Sequence, residues 1–197
     1  LSWNDFCSGF QHFGYNFEAF REAIIATSKI SAESYTKACA EVAKKIPMHS
    51  AAVDLLKGLI QGTGFPIIVT CGGSTIWRRL LEKHDCNEIP IFGGSHFHVD
   101  NFLIGKEEKG ILANFFKDKA HPLISIGDSE VDEIMLQQSD IAIMAHNHKK
   151  NRDLLPGLIG INDVRQWSQT GISDTISDYD SITTKQIIQT VEDISND

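Results

Sequence analysis

The sequence predicts an α/β protein, a parallel sheet with helices on both faces preceded by a helical module, and three observations carry this. Short apolar runs (Phe65–Val69, Ile89–Phe92, Leu123–Ile126, Ile141–Met144) recur between stretches with helical spacing, the pattern of strands alternating with helices. Two of these runs lead through glycine into a polar helix start, at Cys71-Gly72-Gly73-Ser74 and at Gly127-Asp128-Ser129. The segment from Tyr15 to Ile46 contains no glycine or proline and carries apolar residues at helical intervals. The 197 residues, 42% hydrophobic and 22% charged, are enough for one domain with a small insert and exclude collagen, coiled-coil and disordered classes.

The elements follow in order. Phe17, Phe20, Ile24 and Ile25 predict a first helix; Tyr35, Cys39, Val42 and Ile46 predict a second, capped by Ser31 and closed at Pro47. Val53, Leu55, Leu56, Leu59 and Ile60 predict a third helix, which Gly62 and Gly64 separate from the strand Phe65–Val69. Ser74 is expected to cap the next helix, through Leu80 and Leu81; Ile89–Phe92 is a strand, and Ser95–Ile104 alternates like a hairpin. A helix over 107–116, the strand Leu123–Ile126, a helix through Ile134–Leu136 and the strand Ile141–Met144 complete the sheet. The Ser/Asp-rich stretch from Ser168 to Asp180 reads as a polar loop, and Lys185–Ile194 as a last helix.

A formal net charge of -8 argues against broad electrostatic capture of nucleic acid or anionic lipid. Cys7, Cys39, Cys71 and Cys86 have neither C-x-x-C nor zinc-finger spacing and read as reduced intracellular thiols. No apolar run approaches the roughly 18 residues of a membrane span. A cytoplasmic location is therefore expected, although a start at Leu1 leaves any earlier targeting segment unseen.

Chemistry concentrates at strand ends. Asp128 follows the run Ile124-Ser125-Ile126-Gly127, beyond the carboxyl end of a strand where α/β proteins bind ligands, and Asp132 lies one helical turn on. Two hard oxygen ligands with room for water suit Mg²⁺; the same two acids equally suit a helix cap and first turn. Val69-Thr70-Cys71-Gly72-Gly73-Ser74 offers a hydroxyl and the N–H groups of a helix start to a phosphate, or is simply a tight turn. Lys109, with Lys106 nearby, opens the helix before the Asp128 strand, where a cation is disfavoured unless an anion offsets it.

Thr70 at one strand end, a lysine, and a strand ending Gly127-Asp128-x-x-x-Asp132 together resemble the haloacid dehalogenase (HAD) superfamily, in its phosphoserine phosphatase-like branch. The resemblance implies a Rossmann-like parallel sheet with an N-terminal helical cap over 1–47, an α/β core over 48–167, and a polar loop with a C-terminal helix over 168–197. It implies an Mg²⁺-dependent phosphatase of a small phosphorylated metabolite, acting on neither nucleic acid nor membrane. Asp128 and Asp132 would serve the metal; Thr70, Cys71, Gly72, Gly73 and Lys109 would bind substrate; Thr70 and Lys109 would assist catalysis. The branch's usual Ser-Gly-Gly is replaced here, so Cys71 and Ser74 stand as alternatives to Thr70.

The family's first motif, Asp-x-Asp at the end of a first strand, supplies an aspartate nucleophile that forms an aspartyl-phosphate, and a general acid. The sequence opens Leu1-Ser2-Trp3-Asn4-Asp5-Phe6, which reads as beginning just after that motif. A chain so truncated is expected to be impaired in hydrolysis, with neighbours of the first strand unpaired unless the gap closes, another segment fills it, or a second chain supplies a strand as in a homo-oligomer. Asp178-Tyr179-Asp180 imitates the motif but follows a polar stretch, and Asp5 is a weaker substitute. His96, His98 and Asp100 alternate, suggesting an exposed hairpin face more than a metal site; His146 and His148 read as loop residues. Trp3, Phe6, Phe10, Phe13 and Tyr15 would pack a core or line a cap. The alternative function is a catalytically silent HAD-like module that binds a phospho-ligand or a protein partner.

Overall fold

The computed structural model describes residues 17–94, 96, 103–119, 122–145, 158, 164–168 and 180–195, and within these the protein is mixed α/β with parallel sheets. Two compact units are present, one formed by Leu1–Met48 with Ile67–Gly105 and the other by His49–Pro66 with Lys106–Asp197.

In the first unit, α1 (Phe17–Ser28) buries Ala19, Phe20 and Ile24. Helix α2 (Ala32–Lys45) begins as its sequence dictates: Ser31 is extended and its side chain accepts the Ser34 N–H. Glu33 in its first turn and Lys44 and Lys45 in its last complement the helix dipole. Its inward stripe is Tyr35, Cys39 and Ala43; Val42, expected in that stripe, is exposed. Ile46, held extended before Pro47, closes the helix.

Strand β1 (Ile68–Gly73) pairs in parallel with β2 (Ile91–Gly94). The expected strand at Phe65–Val69 is displaced, because Pro66 has no N–H to give a ladder; Phe65 is 77% exposed and pairing starts when Ile68 N–H donates to Pro90 O. The second strand likewise starts at Ile91 rather than Ile89. Helix α4 (Ser74–Glu82) follows β1 directly and packs along α2, burying Leu80 and Leu81.

In the second unit, β3 (Ile124–Gly127), β4 (Ile141–Ala145), β5 (Val164–Trp167) and β6 (Asp180–Ile182) form one parallel sheet in that order. Central β4 is buried along its whole length, as expected of a continuous apolar run covered on both faces. Ile141, Ile143 and Ala145 face Trp167, Ile182, Leu55 of α3 (Ser50–Gln61) and Ile187 of α7 (Thr184–Ser195). Ala142 and Met144 face Val164, Leu158 and Leu136 of α6 (Glu133–Gln138). Helix α5 (Lys106–Lys117) lies against α6.

Two strands, β5 and β6, lie where the sequence predicts none. Val164-Arg165-Gln166-Trp167 shows no long apolar run, and Asp180, expected in a polar loop, starts the edge strand β6. Asp180 and its short strand suit a sheet edge, where a charge discourages further pairing. Among the described residues no helix is long and apolar enough to cross a membrane.

Candidate functional site

Among the described residues of the second unit a polar cluster forms where β3 turns into a single 3₁₀ turn, Glu130–Asp132, and then α6. Asp132 folds back over the strand end, so close that a Cβ at Gly127 would stand 2.4 Å from its Cβ. Real Cβ contacts do not reach that distance, so Gly127 is required for the turn. The Asp132 carboxylate closes the loop: its Oδ2 accepts the Asp128 N–H at 3.0 Å, the Ser129 N–H at 3.1 Å and the Ser129 hydroxyl at 3.0 Å. The Asp132 N–H returns a bond to Ser129 O at 2.9 Å. Ser129-x-x-Asp132 is thus a capping box with an aspartate in the acidic place.

The other oxygen, Oδ1, accepts Lys109 Nζ at 2.6 Å, and the two side chains are 7% and 8% exposed. Lys109 reaches it from the first turn of α5, where the helix dipole alone would disfavour a cation, and Asp132 supplies the compensating anion. Close approach of α5 to α6 makes this contact: a Cβ on Gly110 would lie 2.3 Å from Ile134 Cγ2. Lys106 and Glu133 form a parallel, more exposed ion pair at 2.8 Å.

This arrangement separates the two acids assigned to a metal. Asp132 spends its carboxylate on one ammonium and three neutral donors, leaving Oδ2 saturated. Asp128 gives its backbone N–H to that network and is half-buried at the strand end. Among the described residues no three His, Cys, Asp or Glu side chains gather as a metal cage. Mg²⁺ takes one or two carboxylates and completes its shell with water and phosphate; held at this turn, it would take Asp128 as its direct ligand, with Asp132 holding the Asp128 backbone.

The corresponding turn of the first unit is built without carboxylates. The β1–β2 register breaks between Val69 and Gly73, lifting Thr70, Cys71 and Gly72 from the regular ladder. Thr70 Oγ1 accepts the Gly72 N–H at 3.1 Å and the Trp77 indole N–H at 3.0 Å. Ser74, expected as the cap of α4, is instead its first residue: its hydroxyl donates to Gly94 O at 3.0 Å, and α4 has no side-chain cap. Cys71 is buried, so its contribution to a ligand would be its backbone.

Tyr35 lies against this turn, its hydroxyl 2.8 Å from where a Cβ on Gly73 would stand. Burial first, then the neighbouring Cys39, pushes its phenol pKa far above the ordinary tyrosine range; burial also raises that of the Cys39 thiol. His96, expected on an exposed hairpin face, is buried: its ring stacks on Tyr35 at 4.1 Å and Nε2 lies 2.9 Å from Ile30 O. A carbonyl can only accept, so that nitrogen carries the proton.

Of the residues singled out in the sequence, Lys109, Asp128 and Asp132 are gathered in the second unit, and Thr70, Cys71, Gly72 and Gly73 in the first. Cys39, Cys71 and Cys86 are buried and, among the described residues, form no disulfide. Asp5, Cys7, His98, Asp100, His146, His148, Asp178, Tyr179 and the aromatic residues from Trp3 to Tyr15 lie outside the described residues. Ser129 had a readable signal in its spacing to Asp132; Trp77 and Gly110 had none, since their partners are set by folding. No protein-family model, curated protein or solved structure matches the chain.

Proposed function

We propose that the protein is a HAD-like, Mg²⁺-dependent phosphatase acting on a small phosphomonoester. The observation that carries the reading is the Lys109–Asp132 pair, an ion pair held away from water and tied through Asp132 to the backbone of Asp128. Desolvated charges with fixed partners are typical of catalytic centres, because their positions need no rearrangement during reaction. When bound, Mg²⁺ supplies charge stabilisation to a phosphoryl oxygen. Asp128 would hold it, Asp132 would keep Asp128 and Lys109 in place, and Lys109 would offset negative charge. By the resemblance the turn at Thr70 would hold phosphate oxygens, with the Gly72 N–H given to Thr70 Oγ1. None of these residues is assigned the part of nucleophile; the second reading is a silent module that binds a phospho-ligand.

Hydrolysis of p-nitrophenyl phosphate, with and without Mg²⁺, separates the readings when wild type and Asp128→Ala are compared alongside calorimetric phosphate binding. Mg²⁺-dependent turnover that Asp128→Ala abolishes supports the phosphatase. Phosphate binding strengthened by Mg²⁺, without turnover, supports the silent module. Neither turnover nor binding in the wild type overturns both.

A further inference from the structure

Thr70 is held more tightly than a turn threonine needs to be. A hydroxyl has one hydrogen to donate and two lone pairs to accept with. Both lone pairs of Thr70 Oγ1 face groups that can only donate, the Gly72 N–H and the Trp77 indole N–H. The methyl group is fixed as well, since a Cβ at Gly93 would stand 2.5 Å from Thr70 Cγ2. With oxygen and methyl both held, the side chain has one rotamer, and the hydroxyl hydrogen has one direction left. Among the described residues no acceptor takes that hydrogen.

We propose that Trp77 is a positioning residue: its indole N–H occupies Thr70 Oγ1 and so makes the Thr70 hydroxyl a one-way donor toward a phosphoryl oxygen. The inference rests on the assignment of Thr70 to phosphate and adds the group that orients it. Without the indole donor the hydroxyl would be free to turn and to accept from water. Donation to an anion polarises the O–H bond toward Oγ1 and makes that oxygen a stronger acceptor, and the indole N–H that bonds it registers the change.

The test is a titration with inorganic phosphate in Mg²⁺-free buffer, following the Trp77 indole N–H resonance and measuring affinity by calorimetry. In the wild type the resonance should shift saturably with phosphate. Trp77→Phe, which removes the donor and keeps an aromatic ring, should weaken binding about fivefold to tenfold, the scale of one hydrogen bond. Thr70→Ser should bind within about twofold of wild type, and Thr70→Val at least as weakly as Trp77→Phe. A stationary Trp77 resonance while phosphate binds, or unchanged affinity in Trp77→Phe, overturns the inference. Should Trp77→Phe fail to fold, the wild-type shift and the Thr70→Ser and Thr70→Val pair decide it. No phosphate binding in the wild type overturns the inference and the phosphate assignment together. Phosphate binding that depends on Trp77, in a protein whose turnover ignores Mg²⁺ and Asp128→Ala, overturns the phosphatase reading alone.

Discussion

The turn after β1 and the turn after β3 share one local plan, a parallel strand that runs through glycine into a helix, yet they satisfy their N–H groups with opposite chemistry. After β3 the protein supplies its own anion: Asp132 takes two backbone N–H groups, a hydroxyl and an ammonium. After β1 a neutral hydroxyl, Thr70, takes one backbone N–H and an indole, and the helix start has no side-chain cap. A turn already closed by a carboxylate is poorly suited to a second anion and well suited to placing another carboxylate, Asp128, for a cation. In the proposed function the residue that closes each turn would set the sign of its ligand, a cation at Asp128 and an anion at Thr70.

The contrast can be broken most forcefully at Asp132. Asp132→Asn leaves the Lys109 ammonium buried without its counter-charge, and removing one partner of a buried pair costs about 3–5 kcal/mol. Urea denaturation should show a loss in that range, and the double variant Asp132→Asn/Lys109→Met should recover part of it. A loss under about 1 kcal/mol, the value of a surface pair, would show that the pair is solvated.

The glycines come next. Gly127→Ala and Gly110→Ala each place a methyl group within bonding-type distance of a neighbour, 2.4 Å from Asp132 Cβ and 2.3 Å from Ile134 Cγ2. Overpacking of this kind costs about 1–3 kcal/mol. Gly127→Ala should also displace Asp132, lowering the hydrogen-exchange protection of the Asp128 and Ser129 amides, while Gly110→Ala should act chiefly on the Lys109 contact.

Much of the sheet was legible because strands β1 to β4 are apolar runs between helical patterns. The exact start of β1 was not, because a single proline moved it. Strands β5 and β6 were hidden for a different reason: their positions come from pairing with a neighbour, and Val164 and Ile182 gain their apolar surroundings only once the sheet exists. At the candidate site, the glycine-aspartate step and the spacing to Asp132 could be read locally. The Lys109–Asp132 contact spans 23 positions in the chain and depends on Gly110 admitting Ile134, which no local pattern announces.

A smaller effect is expected at the neutral turn. Thr70→Val keeps the shape of the side chain and removes the acceptor of two N–H groups, which should cost about 1–2 kcal/mol in thermal or urea unfolding. The smallest concerns Tyr35 and Cys39, whose pKa values burial raises. As pH rises above about 8.5 to 10, their unfolded counterparts release protons first, so the folded state binds more protons and stability falls with pH. This contribution is complete below the unfolded values and declines above them; Tyr35→Phe should flatten the alkaline decline seen by circular dichroism.

The most direct measurement is a Mg²⁺ titration followed at the backbone amides of Asp128 and Ser129, in wild type and in Asp128→Asn. The account predicts a saturable shift of both amides in the wild type, lost in Asp128→Asn, which keeps the turn and removes only the ligand charge. Amides that ignore Mg²⁺ in the wild type, or that respond equally in Asp128→Asn, would contradict it.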